Sequence, residues 1–139
     1  MAVGPGQQHI VLIASAAPTV FRIHRGWAWV VIFANAAVGV WGVAAHFLHR
    51  LRGRPYWIAT GVAEGCIAVQ VVLGTILLGL HRKPSNFHVF YGVLLVVGPT
   101  LAWVYRSEPA IRRRVYLFYG LAGLFFMGLA IRAYLVVHR

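Results

Sequence analysis

The sequence predicts an all-α fold, a four-helix up-down bundle embedded in a membrane as an integral membrane protein. Three observations carry that expectation. Of the 139 residues, 60% are hydrophobic and only 11% are charged, against about 25% charged in a typical soluble domain. The apolar residues come in four long blocks. Short basic connections, each with a proline, separate those blocks. Too few polar residues remain to clothe a soluble core of this size, whereas a bilayer requires long apolar runs.

Residues 1–21 stand apart as an N-terminal surface segment. Their apolar run, Ile10–Phe21, is broken by Pro18 and is too short to span. It lacks the basic start of a secretory signal, so no cleavage is expected, and it is expected to lie along the membrane surface. Residues 22–139 form the four-transmembrane-helix domain. The first span is Gly26–Leu48, without formal charge, and the second is Pro55–Leu80, interrupted only by Glu64. The third is Phe87–Tyr105 and the fourth is Val115–Val137, with Arg132 near its end. Each meets or approaches the roughly 20 residues that a ~30 Å hydrocarbon core requires. Lipid cannot satisfy open backbone groups and four strands cannot close a barrel, so the spans are helices. The connections HRLRGRP, HRKPSN and RSEPAIRRR carry Pro55, Pro84 and Pro109 near the next helix start, where a missing N–H costs nothing. Loops this short make sequential helices antiparallel neighbours.

The net charge of +11 does not point to nucleic acid, because the basic residues lie beside and between the apolar blocks, where they act as topology signals. Arg50, Arg52, Arg54, Arg106, Arg112, Arg113 and Arg114 fall on one side. Arg22, Arg25, Arg82, Lys83, Arg132 and Arg139 fall on the other. This small bias favours the first group inside and both termini outside, in a bacterial or archaeal plasma membrane. The single cysteine, Cys66, excludes an intrachain disulfide and a cysteine metal motif; it reads as a small packing residue.

The histidines are the informative feature: there are seven. In an up-down bundle, His24 before the first span and His81 and His88 around the start of the third share one membrane face. His46 and His49 lie on the other, and His9 and His138 are terminal. One histidine from each of two helices, at equal depth, can hold a haem iron from both sides, and bundle interiors are a usual place for such a cofactor. His24 and His88 meet that requirement, as metal ligands of one b-type haem (haem b) at most; without a ligand they are interfacial histidines. His81 is the rival to His88. His46 and His49, three apart on one helix, point the same way and cannot clamp one iron. Arg25, Arg82 and Arg132, with Arg22 and Lys83, gather on the histidine face and suit anionic propionates. Arg132 can also simply snorkel.

Two polar residues, Asn35 and Gln70, sit near mid-membrane by their distance from the helix ends and are expected to bond to each other across adjacent helices. Glu64, the acid inside a span, is expected to be protonated or paired with a neighbour such as an inner-loop arginine.

Three elements in order carry a family resemblance: the pair His24–Arg25 opening a helix, the segment QVVLGTILL (Gln70–Leu78), and FHVFYGVLL (Phe87–Leu95) with a histidine at its start. Over Ile23–Val96, about half the chain, this resembles the haem A synthase family. The resemblance implies that His24 and His88 ligate haem. The segment ahead of His24 lacks the acidic residue and the cysteine pair that the family carries in an outer loop. The resemblance therefore implies the scaffold and the ligands rather than the oxidation of the haem methyl group.

Three functions follow as expectations. The first is a membrane b-type haem protein for electron transfer, a cytochrome b in a respiratory-chain assembly. The second is a reduced haem A synthase-like oxidoreductase acting as an oligomer. The third is a cofactor-free accessory subunit of a membrane complex. The partners expected are the lipid bilayer and other membrane proteins or further copies of the chain, and no nucleic acid.

Overall fold

The computed structural model describes residues 4–137; His138 and Arg139 lie outside the described residues. Five helices follow in order: α1 (Pro5–Phe47), α2 (Arg54–Gly79), α3 (Asn86–Val104), the single turn α4 (Pro109–Arg112) and α5 (Val115–Val137). Four of them, α1, α2, α3 and α5, are long and apolar enough to cross a membrane. The last three of these match the apolar blocks read from the sequence to within a residue or so at each end.

The first helix departs from expectation. Pro18 lies inside α1, and the helix continues past it for 43 residues in all. One proline removes a single intrahelical bond, and the Ala- and Val-rich flanks hold the rest. At ~1.5 Å per residue such a helix is ~64 Å long, about twice a hydrocarbon core. Its first turns, through Ile10, Val11 and Leu12, are exposed.

Side-chain contacts fix the directions. On α1 and α5, Trp29 meets Tyr134 while Gly42 meets Gly120, so these helices run antiparallel. On α1 and α2, His24 faces Gly74 while Gly42 faces Tyr56, again antiparallel. On α3 and α5, His88 meets Ala133 and Ala102 meets Tyr119. The four long helices therefore alternate up and down.

The seam between α1 and α5 is made by glycines. A Cβ on Gly120 would lie 2.8 Å from the carbonyl carbon of Gly42 and 2.9 Å from the carbonyl oxygen of Gly39, and one on Gly123 would lie 3.0 Å from the Cα of Gly39. Backbones approach this closely only where side chains are absent. By contrast Gly61 and Gly65, spaced like a packing motif, have nothing near them.

Sequential helices are not all neighbours. α2 packs on α1 and α3 packs on α5, but α2 and α3 make little contact. The side chains that join them are Trp57 and Glu64 with Trp103, at one end. Toward the other end they part, and a cavity opens between them.

Turns are closed by specific bonds. Arg52 donates from Nε to Ala45 O (2.7 Å) and from Nη2 to His46 O (2.6 Å), satisfying carbonyls at the α1 C-terminus. Gly53, at φ 127°, takes a conformation that side chains disfavour; its N–H donates to the Tyr116 hydroxyl at 3.1 Å. His81, at φ 61°, reverses the chain after α2. Because α1 ends at Phe47 and His49 begins a separate 3-10 turn, His46 and His49 do not share one helix, contrary to the expectation.

Candidate functional site

The cavity between α2 and α3 measures about 570 Å³, within the range of small-molecule and cofactor sites. Each long helix contributes to its wall: His24 from α1, Gln70 and Gly74 from α2, His88 and Gly92 from α3, and Ala133 from α5.

Local sequence sets both histidines. Ser85 caps α3, its hydroxyl accepting from the His88 backbone N–H at 3.3 Å, so His88 sits three residues into the helix. Its ring then reaches α5, where Nδ1–H donates to Ala133 O at 3.0 Å. A carbonyl can only accept, so the proton is on Nδ1 and the lone pair is on Nε2. His24 projects from α1 toward Gly74, where a Cβ would lie 3.3 Å from its Cε1; a glycine here makes room for the ring. The Gln70 amide lies 3.5 Å from His24 Nε2. His24 Nδ1 and Gln70 Oε1 are buried without a hydrogen-bond partner, and orphaned buried polar atoms in native folds call for an explanation. The His24 and His88 rings meet edge-on, with centroids 5.9 Å apart and planes at 71°.

The structure thus brings His24 and His88 together. Arg25 and Arg82, with Lys83, also line the cavity, and the Arg82 guanidinium sits 4.9 Å from the Phe21 ring centroid. Arg132 and His81 do not line it: both are exposed. Arg132 occupies another face of α5 from Ala133, as a snorkelling arginine does.

One expected pairing is replaced, and Glu64, expected to be protonated or paired with a neighbour, has an indole as that neighbour. Asn35 does not meet Gln70; its Nδ2 donates to Val31 O at 2.9 Å, one turn back on its own helix. Gln70 is instead turned toward His24. Glu64 accepts from the Trp103 indole N–H, and no inner-loop arginine pairs with it among the described residues. Because α3 rather than a loop faces Glu64, an indole takes the place expected for a cation.

Sequence reading missed the aromatic end of the bundle. Tyr56, Trp57, Trp103, Tyr116 and Tyr119 pack ring to ring there, with Trp57 and Tyr119 centroids 5.1 Å apart. Arg106 lies over Trp57 at 4.3 Å and Trp103 at 5.0 Å. The signal was the run of Trp and Tyr at the ends of apolar blocks, a membrane-interface pattern.

No family model, no curated protein and no solved structure matches the chain. The site therefore stands on its own geometry.

Proposed function

We propose that the chain is an integral membrane b-type haem protein that serves electron transfer in a respiratory-chain assembly, with both termini outside. The observation that carries the reading is the meeting of His24 and His88 in a cavity between helices.

The residues fit such a group. Among the described residues no cluster of three or more His, Cys, Asp or Glu gathers. A metal held by side chains alone lacks ligands here, but an iron already held by a porphyrin needs only two. His24 and His88 are the residues that would hold it, one from α1 and one from α3. His88 offers Nε2, its other nitrogen being held by Ala133 O, the outer-shell arrangement usual for ligating imidazoles. Turning the Gln70 amide so that its orphaned oxygen accepts from His24 Nε2–H leaves the Nδ1 lone pair of His24 for a metal. Arg25, Arg82 and Lys83 at the rim suit the anionic edge of the group. Gly74 and Gly92 leave space for a flat body. When bound between His24 and His88, the haem would supply one-electron transfer.

The test is a reduced-minus-oxidised absorbance spectrum of the purified protein. A low-spin haem signature is expected. His24→Ala and His88→Ala should each abolish or convert it, while His46→Ala and His49→Ala should leave it unchanged. A protein purified with added haem that shows no such band, or a band that depends on His81 alone, overturns the assignment. The resemblance of the ordered motifs to the haem A synthase family supports a second reading, a reduced oxidoreductase of that kind. Conversion of added haem O by the wild-type protein would favour it over electron transfer.

A further inference from the structure

At the aromatic end, a cleft of about 450 Å³ is lined by Trp57, Arg106, Ser107, Arg112, Val115 and Tyr116. It lies where α3 ends and α5 begins. For helices of this length and apolarity, that is the depth of the headgroup layer.

Arg106 is the central group. Its guanidinium lies against the Trp57 and Trp103 rings, and Trp103 is itself tied through its indole N–H to Glu64. Among the described residues no hydrogen bond takes up its N–H groups. A guanidinium stacked on rings is oriented and weakly hydrated, with the donors at its edge left for a planar or tetrahedral oxyanion. Arg52, the other arginine over an aromatic ring at this end, is already spent on the Ala45 and His46 carbonyls. Arg112 adds a second cation and Ser107 a hydroxyl. Val115 and the flanks of Trp57 and Tyr116 form an apolar wall beside them.

From this arrangement we infer that the cleft binds a phosphate ester, the headgroup phosphate of an anionic phospholipid. Arg106 holds two phosphate oxygens through its N–H edge. Arg112 and Ser107 close over the remaining face, and the glycerol and first acyl carbons lie on Val115 and Trp57. A cation cluster alone would attract any anion. The apolar wall and the interfacial depth select the lipid over free phosphate. The proposal does not depend on the haem reading, since no residue is shared.

The experiment uses the full chain in neutral detergent and native mass spectrometry, titrated with phosphatidylglycerol and separately with phosphatidylcholine. Wild-type protein is expected to prefer phosphatidylglycerol by about tenfold: both lipids present the phosphate, but only phosphatidylcholine carries a choline cation beside it, which Arg106 and Arg112 repel. R106Q should lose that preference and R112Q should lower it severalfold. R113Q, which removes an exposed charge outside the cleft, should retain it. No preference in the wild type overturns the proposal, as does a loss in R113Q equal to that in R106Q. Inorganic phosphate that raises the melting temperature without a lipid preference assigns the site to a soluble anion and overturns the lipid. If R106Q does not fold, R112Q decides, because its exposed side chain has no ring or hydrogen-bond partner among the described residues. R112Q binding like R113Q then overturns the proposal.

Discussion

Where Tyr56, Trp57, Tyr116 and Tyr119 meet, rings fill the space between helices, and Tyr56 is 0% exposed. At the opposite end the same helices leave about 570 Å³ open around His24 and His88. The difference lies in what the helices present. One end offers large aromatic side chains from α2, α3 and α5. The other offers Gly74, Gly92 and Ala133 together with polar groups that lack partners. A bundle that merely needed to be stable would fill both ends, because packed interiors exclude voids. The aromatic rings close one end around Tyr56, Ala102 and Tyr119, and the larger apolar core, with Val31 and Leu129, lies between that end and the cavity.

Truncation should separate the two ends most sharply. Tyr56→Ala removes a ring that touches Trp41, Trp57 and Tyr116. It is expected to cost about 3–5 kcal/mol, as large aromatic deletions do, read as a lowered melting temperature in detergent with any haem content unchanged per folded molecule. His88→Ala should do the reverse: the spectrum is lost and the melting temperature of the haem-free protein barely moves. If both variants lower apoprotein stability equally, the hollow end is a structural core and the comparison fails.

The seam that joins the two ends gives the next effect. A methyl at Gly120 would press on the backbone of Gly39, Gly42 and Val43, where no flexible side chain can yield. Gly120→Ala is expected to cost about 1–3 kcal/mol by overpacking. Gly61→Ala, with nothing within 4 Å, should be neutral or slightly stabilising by helix propensity. Thermal melts of the two variants side by side check this.

A smaller effect is expected inside the cavity. Gly74→Ala places a methyl 3.3 Å from His24 Cε1. The ring can shift by tenths of an ångström, so stability should change by less than about 1 kcal/mol. The spectrum of the proposed haem, which would report ligand orientation, should shift. An altered melting temperature with an unaltered spectrum would place His24 outside the coordination sphere.

Much of this was legible in the sequence; the bounds of α1, which runs through Pro18 and stops at Phe47, were not, and most of the rest was lost to one physical cause. The extents of α2, α3 and α5 follow from block length, because hydrocarbon thickness dictates it. The shared face of His24 and His88 follows from counting residues along antiparallel helices. Rotation about each helix axis does not. Helices that are apolar all round carry no amphipathic stripe to reveal which side faces a neighbour. Sequence spacing therefore gave Asn35 and Gln70 the same depth but not their divergent directions. It put Arg132 at the histidine level but not on another side of α5. The parting of α2 from α3, on which the cavity depends, is likewise a matter of rotation and tilt. So is the meeting of Arg106 with two indoles, which are 46 residues apart in sequence (Trp57 and Trp103).

The smallest expected effect bears on the connection at the rim of the hollow end. His81 stands at φ 61°, in the left-handed region that a Cβ disfavours; His enters it more often than most side chains do, and glycine enters it without that penalty. Its N–H bonds to Leu78 O at 3.1 Å and the next N–H to Leu77 O at 3.1 Å, the arrangement by which glycine ordinarily ends a helix. The His81 side chain is exposed and does not line the cavity. Nothing in the fold therefore requires an imidazole there, and glycine would adopt the same backbone without a steric penalty. His81→Gly is expected to be slightly stabilising, by about 0.5–1 kcal/mol, with the greater flexibility of glycine in the unfolded chain setting the upper limit. The spectrum assigned to His24 and His88 should be unchanged. A melting temperature that holds or rises, with the band intact, removes His81 from the set of ligands. A band lost in this variant alone would make His81, in the turn before α3, the residue that holds the proposed haem in place of His88.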